Sequence, residues 1–315
     1  MVDVVTLGES LGLVQPTPQE SVELAVSLRL GIGGAESNVA IGVSRLGASA
    51  EWLGRIGDDD VGKRIRRELR AEGVRVTAIV DDGAPTALML KEHHPVGPSR
   101  VRYYRAGSAG SRLAPDDLPG DWLAGAGLLH LTGITPSLSP SADAAVQRAL
   151  DLAEAAGVPV SFDVNHRATL RRHCDAAELY RSIARRARVV FAGDDEARLL
   201  VPGAHDEDEL LDGMRDLGAR EAVLKLGERG CRALIDGGRH ALPATPVAVV
   251  DTVGAGDAFV AGYLAERARG SSPQTRLETA VLCGAFACTS PGDWEGAARR
   301  HDLRSLAAGS DPVIR

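Results

Sequence analysis

Short apolar runs alternate along the chain with longer segments in which apolar residues recur every three to four positions. Residues 142–156 show this helical period and end at Gly157, as a helix with a glycine C-cap does. Strand–helix alternation predicts an α/β fold, with a mostly parallel sheet covered by helices on both faces. The predicted strands are residues 4–7, 52–53, 128–131, 158–162, 189–191 and 222–226.

Two stretches break this alternation, because residues 22–30 and 86–104 look extended and have no helical pattern between their parts. Within the second stretch, residues 86–92 and 100–105 are joined by a connection that contains Pro95, Gly97 and Pro98. This pattern predicts a hairpin. We interpret both stretches as a small β lid, with segments at about 12–32 and 86–112; an ordinary edge hairpin is the alternative.

Composition narrows the class of protein. The 315 residues are 44% hydrophobic and carry a formal net charge of −7, so we expect one domain over residues 1–315 and neither nucleic acid nor a membrane as partner. The N-terminal residues read as a first strand and not as a signal peptide. None of the four cysteines lies in a Cys-x-x-Cys pair, which argues against zinc and disulfides. We therefore expect a cytoplasmic protein.

The most informative segment is residues 251–257 (DTVGAGD), which follows an apolar extended run and opens an amphipathic helix that continues to Arg269. Gly254 and Gly256 have no Cβ atom, so the backbone can turn sharply and approach a ligand. The free N–H groups and the positive end of the helix dipole suit a phosphoryl group. The alternative is an ordinary strand–helix junction.

Asp257 lies in the first turn of this predicted helix. A carboxylate beside an anion site can accept the proton of an attacking hydroxyl group. We expect the helix N-terminus to favour the ionised form, which leaves a ready but weak base. Phosphoryl transfer tolerates a weak base, because its transition state needs mostly positioning and charge stabilisation.

Two further glycine-rich turns carry candidate binding residues. Gly33 and Gly34 would let a small polyol lie against the backbone, and Asn38 would hydrogen-bond a hydroxyl group. This segment lacks the Gly-x-Gly-x-x-Gly spacing of a dinucleotide site. The third turn, residues 225–230 (KLGERG), offers a cation and flexible backbone at the end of a strand, which suits nucleotide phosphates. An ordinary turn is the alternative there.

Taken together, these segments resemble the ribokinase-like (PfkB) family of carbohydrate kinases over nearly the whole chain. The resemblance implies a central sheet flanked by helices, a β lid that often makes a dimer contact, and hence a homo-oligomer. It also implies ATP and Mg²⁺ as cofactors, with K⁺ as a candidate. The implied roles are the catalytic base for Asp257, the anion hole for Gly254, Ala255 and Gly256, and the ATP site for Asn165, Lys225, Gly227, Gly230, Gly254 and Gly256. Asp251 would lie near the substrate hydroxyls or a monovalent-cation loop.

Residues 33–38, 103–109, 130–136 and 292–296 look like one branch of that family, the 2-keto-3-deoxygluconate kinases. In that branch Tyr103, Arg105 and Arg167 would face the substrate together with Gly34 and Asp257. A carboxylate substrate gains from a planar guanidinium that binds it through two hydrogen bonds. The implied activity is ATP-dependent phosphorylation of the terminal hydroxyl, which gives the 6-phosphate. The alternatives are a fructokinase, a nucleoside kinase or a non-catalytic sugar-binding relative.

One position departs from the family pattern. Family members commonly carry an Asn-x-x-Glu motif that organises Mg²⁺ through water. Here Glu196 is kept, but Gly193 stands in place of the Asn. Whether Glu196 alone, Asp194 or Asp195 serves the metal stays open at this point. Mg²⁺ itself is expected, because ATP chemistry needs its charge neutralised.

Overall fold

A nine-stranded sheet forms the centre of the computed structural model, which describes residues 1–17, 21–92, 100–170 and 175–307. Its strand order is β13-β12-β11-β10-β9-β8-β1-β4-β5. The strands of the chain are β1 (Val4–Leu7), β2 (Leu11–Pro16), β3 (Leu28–Gly33), β4 (Ala50–Gly57), β5 (Arg75–Asp81), β6 (Leu88–Glu92), β7 (Arg100–Tyr104), β8 (Leu129–Thr132), β9 (Val160–Asp163), β10 (Val189–Gly193), β11 (Glu221–Lys225), β12 (Cys231–Ile235) and β13 (Gly238–Leu242). Along this order, neighbouring strands pair in parallel from β11 through β10, β9, β8, β1 and β4 to β5. Strands β12 and β13 add antiparallel pairs at the edge beyond β11.

Helices cover both faces of this sheet, as the alternating pattern predicts. They are α1 (Ala35–Arg45), α2 (Asp60–Ala71), α3 (Pro140–Ala156), α4 (Ala176–Ala184), α5 (Asp194–Leu200), α6 (Glu207–Leu217), α7 (Ala255–Ala268), α8 (Pro273–Ala287) and α9 (Arg300–Ala307). In β10, Val190 and Ala192 pack into a core with α3, α4 and α6. Val189 and Phe191 pack into the opposite core with α1, α7 and α8. A strand buried on both faces reads as a continuous apolar run, which is why β10 was predictable.

Local signals set the ends of several helices. Helix α3 begins after Ser139, whose hydroxyl accepts a hydrogen bond from the Ala142 N–H, and Pro140 occupies its first position. It ends at Gly157, where φ is +65°, and so confirms the predicted C-cap.

The sequence pattern is less accurate for the strands. Strand β4 is much longer than the predicted pair of residues, and β9 begins two residues later than predicted. Strands β5, β12 and β13 were not predicted. Strand β5 and strand β13 lie at the two edges of the sheet and have mixed burial, so their sequences lack a clear apolar run.

A second sheet of four strands, in the order β3-β2-β6-β7, is called the small sheet below. Strands β6 and β7 form the predicted antiparallel hairpin, with Lys91 opposite Val101. Residues 93–99, which join them, lie outside the described residues. The prediction of an extended segment over residues 22–30 is wrong for residues 22–27, which form no strand; β3 begins at Leu28. Strand β2, which pairs with both β3 and β6, was not predicted as a strand, although the predicted lid segment of about 12–32 covers most of it.

One face of the small sheet carries an apolar cluster. Leu11, Leu13, Ala87 and Met89 are buried there, with Val101 and Tyr103 packed against them. This sheet occupies the sequence segments of the predicted lid; its action as a lid, and the single-domain division of the chain, stay predictions.

Two smaller expectations concern membranes and thiols. Over the described ranges, no helix has the length and apolar character needed to cross a membrane. Cys231, Cys283 and Cys288 are free thiols, of which the first two are buried as core residues. Cys174 lies outside the described residues.

Candidate active site

A cavity of about 350 Å³ lies where the small sheet meets the carboxyl ends of the parallel strands and the start of α7. Ligands bind at such strand ends in open α/β sheets. It brings together eleven of the residues predicted from sequence: Gly34, Asn38, Tyr103, Arg105, Asn165, Arg167, Glu196, Lys225, Gly254, Gly256 and Asp257. Among the other predicted residues, Gly33, Asp251, Gly227, Gly230 and Ala255 do not line it.

The turn before α7 depends on Gly254, which has a φ of +77°. A Cβ atom at this position would come within 1.8 Å of the Asp293 carbonyl oxygen, so only glycine fits. Gly256 has no such requirement, because its φ lies outside the left-handed range and a Cβ there would lie 3.6 Å from Lys225 Nζ. The expectation that both glycines are needed for the turn is therefore corrected to Gly254 alone.

No side chain caps the N-terminus of α7. The first N–H groups of a helix have no partner within the helix, and the positive end of the helix dipole lies at the same place. This helix start lies beside Asp257 and Lys225 in the cavity, and its role as an anion site stays a prediction.

Asp257 is buried and accepts two hydrogen bonds from side-chain amides. Asn38 Nδ2 lies 2.8 Å from its Oδ2 atom, and Asn165 Nδ2 lies 3.2 Å from its Oδ1 atom. Burial, reinforced by the charge of Asp293, raises the pKa of Asp257 to about 7, against the opposing hydrogen bond from Asn38. Burial thus opposes the ionised form of Asp257, which the sequence analysis expected the helix N-terminus to favour.

Asp293 is a site residue that the sequence reasoning did not assign. It is buried in the same cavity, and its Oδ2 atom accepts a hydrogen bond of 3.2 Å from the Gly34 N–H. Burial raises the pKa of Asp293 as well. A Cβ atom on Gly33 would lie 2.0 Å from Asp293 Oδ2, so Gly33 admits this carboxyl group and does not line the cavity. The sequence signal for Asp293 was its position within residues 292–296, a segment that resembles the family.

Lys225 is held at the end of β11 by Asp163, a second residue that was not assigned. Its Nζ atom lies 2.6 and 2.7 Å from the two Asp163 oxygens. Desolvation lowers the pKa of Lys225, but the charges of Asp163, Glu196 and Asp257, with the hydrogen bond to Asp163, together outweigh it, so the pKa is raised overall and the cation is retained. Asn165 follows with a φ of +41°. A non-glycine residue in this region is strained, and such strain concentrates at functional sites.

Among the described residues, Arg105 has an ion-pair partner for one of its side-chain nitrogen atoms and no hydrogen-bond partner for the other two. Its Nη2 atom lies 2.7 Å from Glu9 Oε2, and its guanidinium lies over the Tyr103 ring, 4.3 Å from the ring centroid. Within the described residues, the buried Nε and Nη1 atoms have no hydrogen-bond partner. Buried donors without partners are costly, so each of these atoms suits an acceptor oxygen of a ligand.

Arg167 lines the same cavity from the segment after β9. Desolvation lowers its pKa, but the nearby charges of Asp257, Tyr103 and Glu196 outweigh that effect and raise the pKa overall. Two guanidinium groups therefore belong to one cavity, as the sequence predicts.

Glu196 binds two backbone N–H groups at the start of α5. Its Oε1 atom accepts from His166 at 2.8 Å, and its Oε2 atom accepts from Gly193 at 2.7 Å. Asp194 instead pairs with Arg198, at 3.4 Å, and neither Asp194 nor Asp195 lines the cavity. The described ranges contain no group of three or more His, Cys, Asp or Glu side chains placed to hold a metal ion.

The predicted residues outside the cavity have structural contacts of their own. The carboxylate of Asp251 forms an ion pair with Lys91 and accepts the Val253 N–H at 3.2 Å. Gly230 packs closely against the Leu242 carbonyl oxygen, and Gly227 is exposed with open space around its Cα. Their predicted roles toward substrate and ATP stay predictions.

The carboxyl group of Asp257, the ammonium group of Lys225 and the uncapped start of α7 face one cavity. Such an arrangement can support the transfer of a charged group to a small polar molecule. Comparison with known proteins specifies the class. The model for "pfkB family carbohydrate kinase" matches residues 1–298, and the chain belongs to that family. It is a carbohydrate kinase, an enzyme that transfers a phosphoryl group to an alcohol.

Three relatives describe the similarity. The 2-dehydro-3-deoxygluconokinase of Thermoproteus tenax is 35% identical over 300 residues, which cover 94% of this chain and 91% of that one. The 2-dehydro-3-deoxygluconokinase of Bacillus subtilis is 34% identical over 317 residues, 99% and 97% of the two chains. A putative ribokinase II from E. coli, solved with ATP and Mg²⁺, has the same fold, with a TM-score of 0.91 at 23% identity over 98% and 99% of the chains. Fructokinases also match, at up to 35% identity.

Proposed function

We propose that this enzyme transfers the terminal phosphoryl group of ATP to the terminal hydroxyl of 2-keto-3-deoxygluconate, giving the 6-phosphate. The observation that carries the proposal is the pair of unpartnered, buried guanidinium donors on Arg105, Nε and Nη1. A neutral hexose needs no permanent charge in its pocket, whereas a carboxylate gains from a permanently charged hydrogen-bond donor. Two relatives named 2-dehydro-3-deoxygluconokinase support the same choice.

The acid end of the substrate would lie against the small sheet. Arg105 is held in place by Glu9 and by the Tyr103 ring, and Arg167 adds a second cation in the same cavity. Because Glu9 pairs with the Nη2 atom of Arg105, the Nε and Nη1 atoms stay available to acceptor oxygens of the substrate. Two cations around one carboxylate also favour the sugar acid over a neutral sugar of the same size.

The reacting end would lie at Asp257. Its carboxylate accepts the proton of the terminal hydroxyl as that oxygen attacks the phosphorus atom. Asn38 orients the carboxylate through Nδ2, while its own Oδ1 atom is buried without a partner and suits a substrate hydroxyl. The N–H groups at the start of α7 and the ammonium of Lys225 stabilise the negative charge on the transferred group.

Mg²⁺–ATP fits the residues on the nucleotide side of the cavity. Glu196 lines the cavity with a carboxylate oriented by two backbone N–H groups, and it keeps lone pairs for the hydration shell of a metal ion. Mg²⁺, when bound, neutralises phosphate charge. Gly193 contributes only its N–H group here, so we assign the metal-side role to Glu196 and not to Asp194 or Asp195.

We further propose that the small sheet acts as a lid and as the contact of a homo-oligomer. On the face opposite the buried cluster, the strand register places Val14 opposite Leu30 and Leu90. Leu28 and Tyr104, on the two edge strands, are 52% and 58% exposed. A second copy of this face would cover these apolar groups. The need for ATP and the free thiols support a cytoplasmic location.

The experiment is a measurement of ADP formation with a panel of acceptors. The panel contains 2-keto-3-deoxygluconate, its galactonate epimer, gluconate, fructose and a nucleoside, each with ATP and Mg²⁺. We expect the highest kcat/KM for a 2-keto-3-deoxy sugar acid, and ³¹P–¹H correlation should place the phosphate on the terminal carbon. A higher kcat/KM for fructose would replace the sugar-acid assignment by fructokinase, and no ADP with any acceptor would favour a sugar-binding relative.

A further inference from the structure

Lys91, in β6 of the small sheet, is a buried cation that the proposed mechanism does not use. Only 1% of its side chain is exposed, and its Nζ atom pairs with Asp251 Oδ2, whose side chain is 11% exposed. Of the two other lysines of the chain, Lys225 lines the cavity and Lys63 is a surface residue that pairs with Asp60. Burying an ammonium group is costly unless it is paired, so a buried lysine at this position indicates a functional role.

The ion pair joins three parts of the molecule. Lys91 belongs to the small sheet, and Asp251 begins the turn that leads to α7. The same Asp251 oxygen also accepts the Gly292 N–H at 3.3 Å, while its other oxygen accepts the Val253 N–H at 3.2 Å. Gly292 precedes Asp293, whose carbonyl oxygen packs against Gly254. The anion turn and the loop that carries Asp293 are therefore both held on one carboxylate.

The charge of that carboxylate needs compensation. Asp251 lies four residues before Ala255, where the helix that would receive the transferred group begins, and an unneutralised carboxylate there opposes the negative charge of the phosphates. A positive ion beside Asp251 removes this opposition. A free monovalent cation can supply the charge, but here the ammonium of Lys91 already occupies the position against Asp251 Oδ2.

We propose that Lys91 is a positioning residue whose tethered ammonium group does the work of a monovalent cation beside Asp251, so that catalysis needs no K⁺. The proposal rests on the proposed kinase function. It also assigns Asp251 to the ammonium group and not to the substrate hydroxyls. Because the ammonium comes from the small sheet, the anion turn is completed only when that sheet lies in the position seen here.

The first test compares salts and two substitutions. Wild-type rates should be the same in sodium, potassium and choline chloride at equal ionic strength. Lys91→Ala should lower kcat by on the order of tenfold to 100-fold, and NH₄⁺ or K⁺, which fit the vacated space, should restore part of it while choline should not. Lys91→Met should show the same loss without restoration, because its side chain fills that space. Lys63→Ala is the matched control and should leave kcat unchanged in every salt.

A double substitution tests neutralisation against simple packing. If Lys91 acts by compensating Asp251, then Asp251→Asn on the Lys91→Met background should recover part of the lost kcat, because the opposing charge is gone. A packing role predicts that the two losses add. Melting temperatures of all variants, with and without ADP, identify any variant that fails to fold, and the double substitution then carries the comparison.

Three results would overturn the proposal: wild-type activity that rises with K⁺, Lys91→Met with wild-type kcat, or Lys91→Ala that no small cation restores. Calorimetric titration of ADP into the same proteins keeps this test separate from the proposed function. If no sugar acid is phosphorylated but NH₄⁺ strengthens ADP binding to Lys91→Ala alone, the substrate assignment fails and the role of Lys91 stands. If ADP binding to Lys91→Ala is equal in NH₄⁺ and choline, the role of Lys91 fails.

Discussion

At the scale of single residues, the active site contains two buried carboxyl groups with raised pKa values, Asp257 and Asp293. Burial is the main cause for both groups, and the charge of Asp293 adds to it at Asp257. Asn38 opposes this effect by donating a hydrogen bond to Asp257. The pKa of the proposed base is therefore raised further by a residue far away in sequence, which gives a specific prediction for its pH dependence.

The first prediction concerns the acid side of the pH profile. A base with a pKa of about 7 is protonated and inactive below that pH, so kcat/KM should fall about tenfold per pH unit as pH drops below about 7. Asp293→Asn removes the charge that raises the pKa of Asp257, so its acid limb should move to lower pH. Steady-state rates across pH measure both profiles.

The control for this prediction is Asp257→Asn, which should lower kcat by on the order of 10²–10⁴ while ADP still binds. An acid limb that stays in place in Asp293→Asn would contradict the proposed coupling of the two carboxyl groups.

The second prediction concerns the substrate acid. Arg105→Ala leaves the substrate carboxylate without its guanidinium partner, and losing one partner of a buried charge pair costs about 2–5 kcal/mol. KM for 2-keto-3-deoxygluconate should rise on the order of tens-fold or more, and KM for ATP should change little. Arg102→Ala is the matched control, because this arginine lies in β7, three residues before Arg105, with 64% of its side chain exposed. Equal effects of the two substitutions would rule out the assigned role.

The third prediction concerns Mg²⁺. Glu196→Gln keeps the shape of the side chain but removes its charge, so a higher Mg²⁺ concentration should be needed for half-maximal rate. Asp194→Asn, whose side chain pairs with Arg198 on the surface of α5, should leave the Mg²⁺ titration unchanged. If the Asp194 variant were the one that shifted the titration, the metal-side role would belong to that residue.

At the scale of elements, the two glycines at the start of α7, Gly254 and Gly256, should affect stability and activity differently when they are substituted. The fourth prediction is that Gly254→Ala lowers the free energy of unfolding by about 1–3 kcal/mol or more, because a left-handed φ and the Asp293 carbonyl both oppose a Cβ atom. Gly256→Ala should keep or slightly raise stability, since alanine is favoured in helices by about 0.5–1 kcal/mol. Its methyl group beside Lys225 Nζ should nevertheless lower kcat.

Urea unfolding and steady-state rates on the same two proteins check this separation. Equal losses of stability would contradict the assignment of the strained turn to Gly254, and a fully active Gly256→Ala would contradict close approach of the transferred group to that position.

At the scale of the whole molecule, the outer face of the small sheet leads to the fifth prediction. Leu28→Glu and Tyr104→Glu place charges on exposed apolar positions, so they should convert a homo-oligomer to monomers without lowering the melting temperature. Val80→Glu, at an exposed position of β5 that is 47% accessible, is the control. Light scattering after size exclusion gives the mass of each species. A wild-type monomer, or dissociation caused by Val80→Glu, would contradict the proposed contact.

Several elements could be predicted because their signals are local. Strand β10 is one buried apolar run, and α3 has its N-cap, proline and C-terminal glycine within its own sequence. Edge strands β5 and β13 lack such a run, since one of their sides has no strand to pair with and their side chains are partly exposed. Strand β2 was missed because its pairing partners lie elsewhere in the chain, in β3 and β6.

The sequence by itself determined the class of chemistry, since a glycine turn, an aspartate and a helix start are adjacent in residues 251–257 and need no distant partner to be recognised. Only the tertiary structure decided how that aspartate is tuned and which charges are paired. Asp293 lies beside Asp257, Asp163 holds Lys225, Glu9 occupies one edge of Arg105, and Lys91 pairs with Asp251. These pairs join residues that are 36 to 160 positions apart. Burial, which shifts the pKa of each group, arises only when the chain is folded.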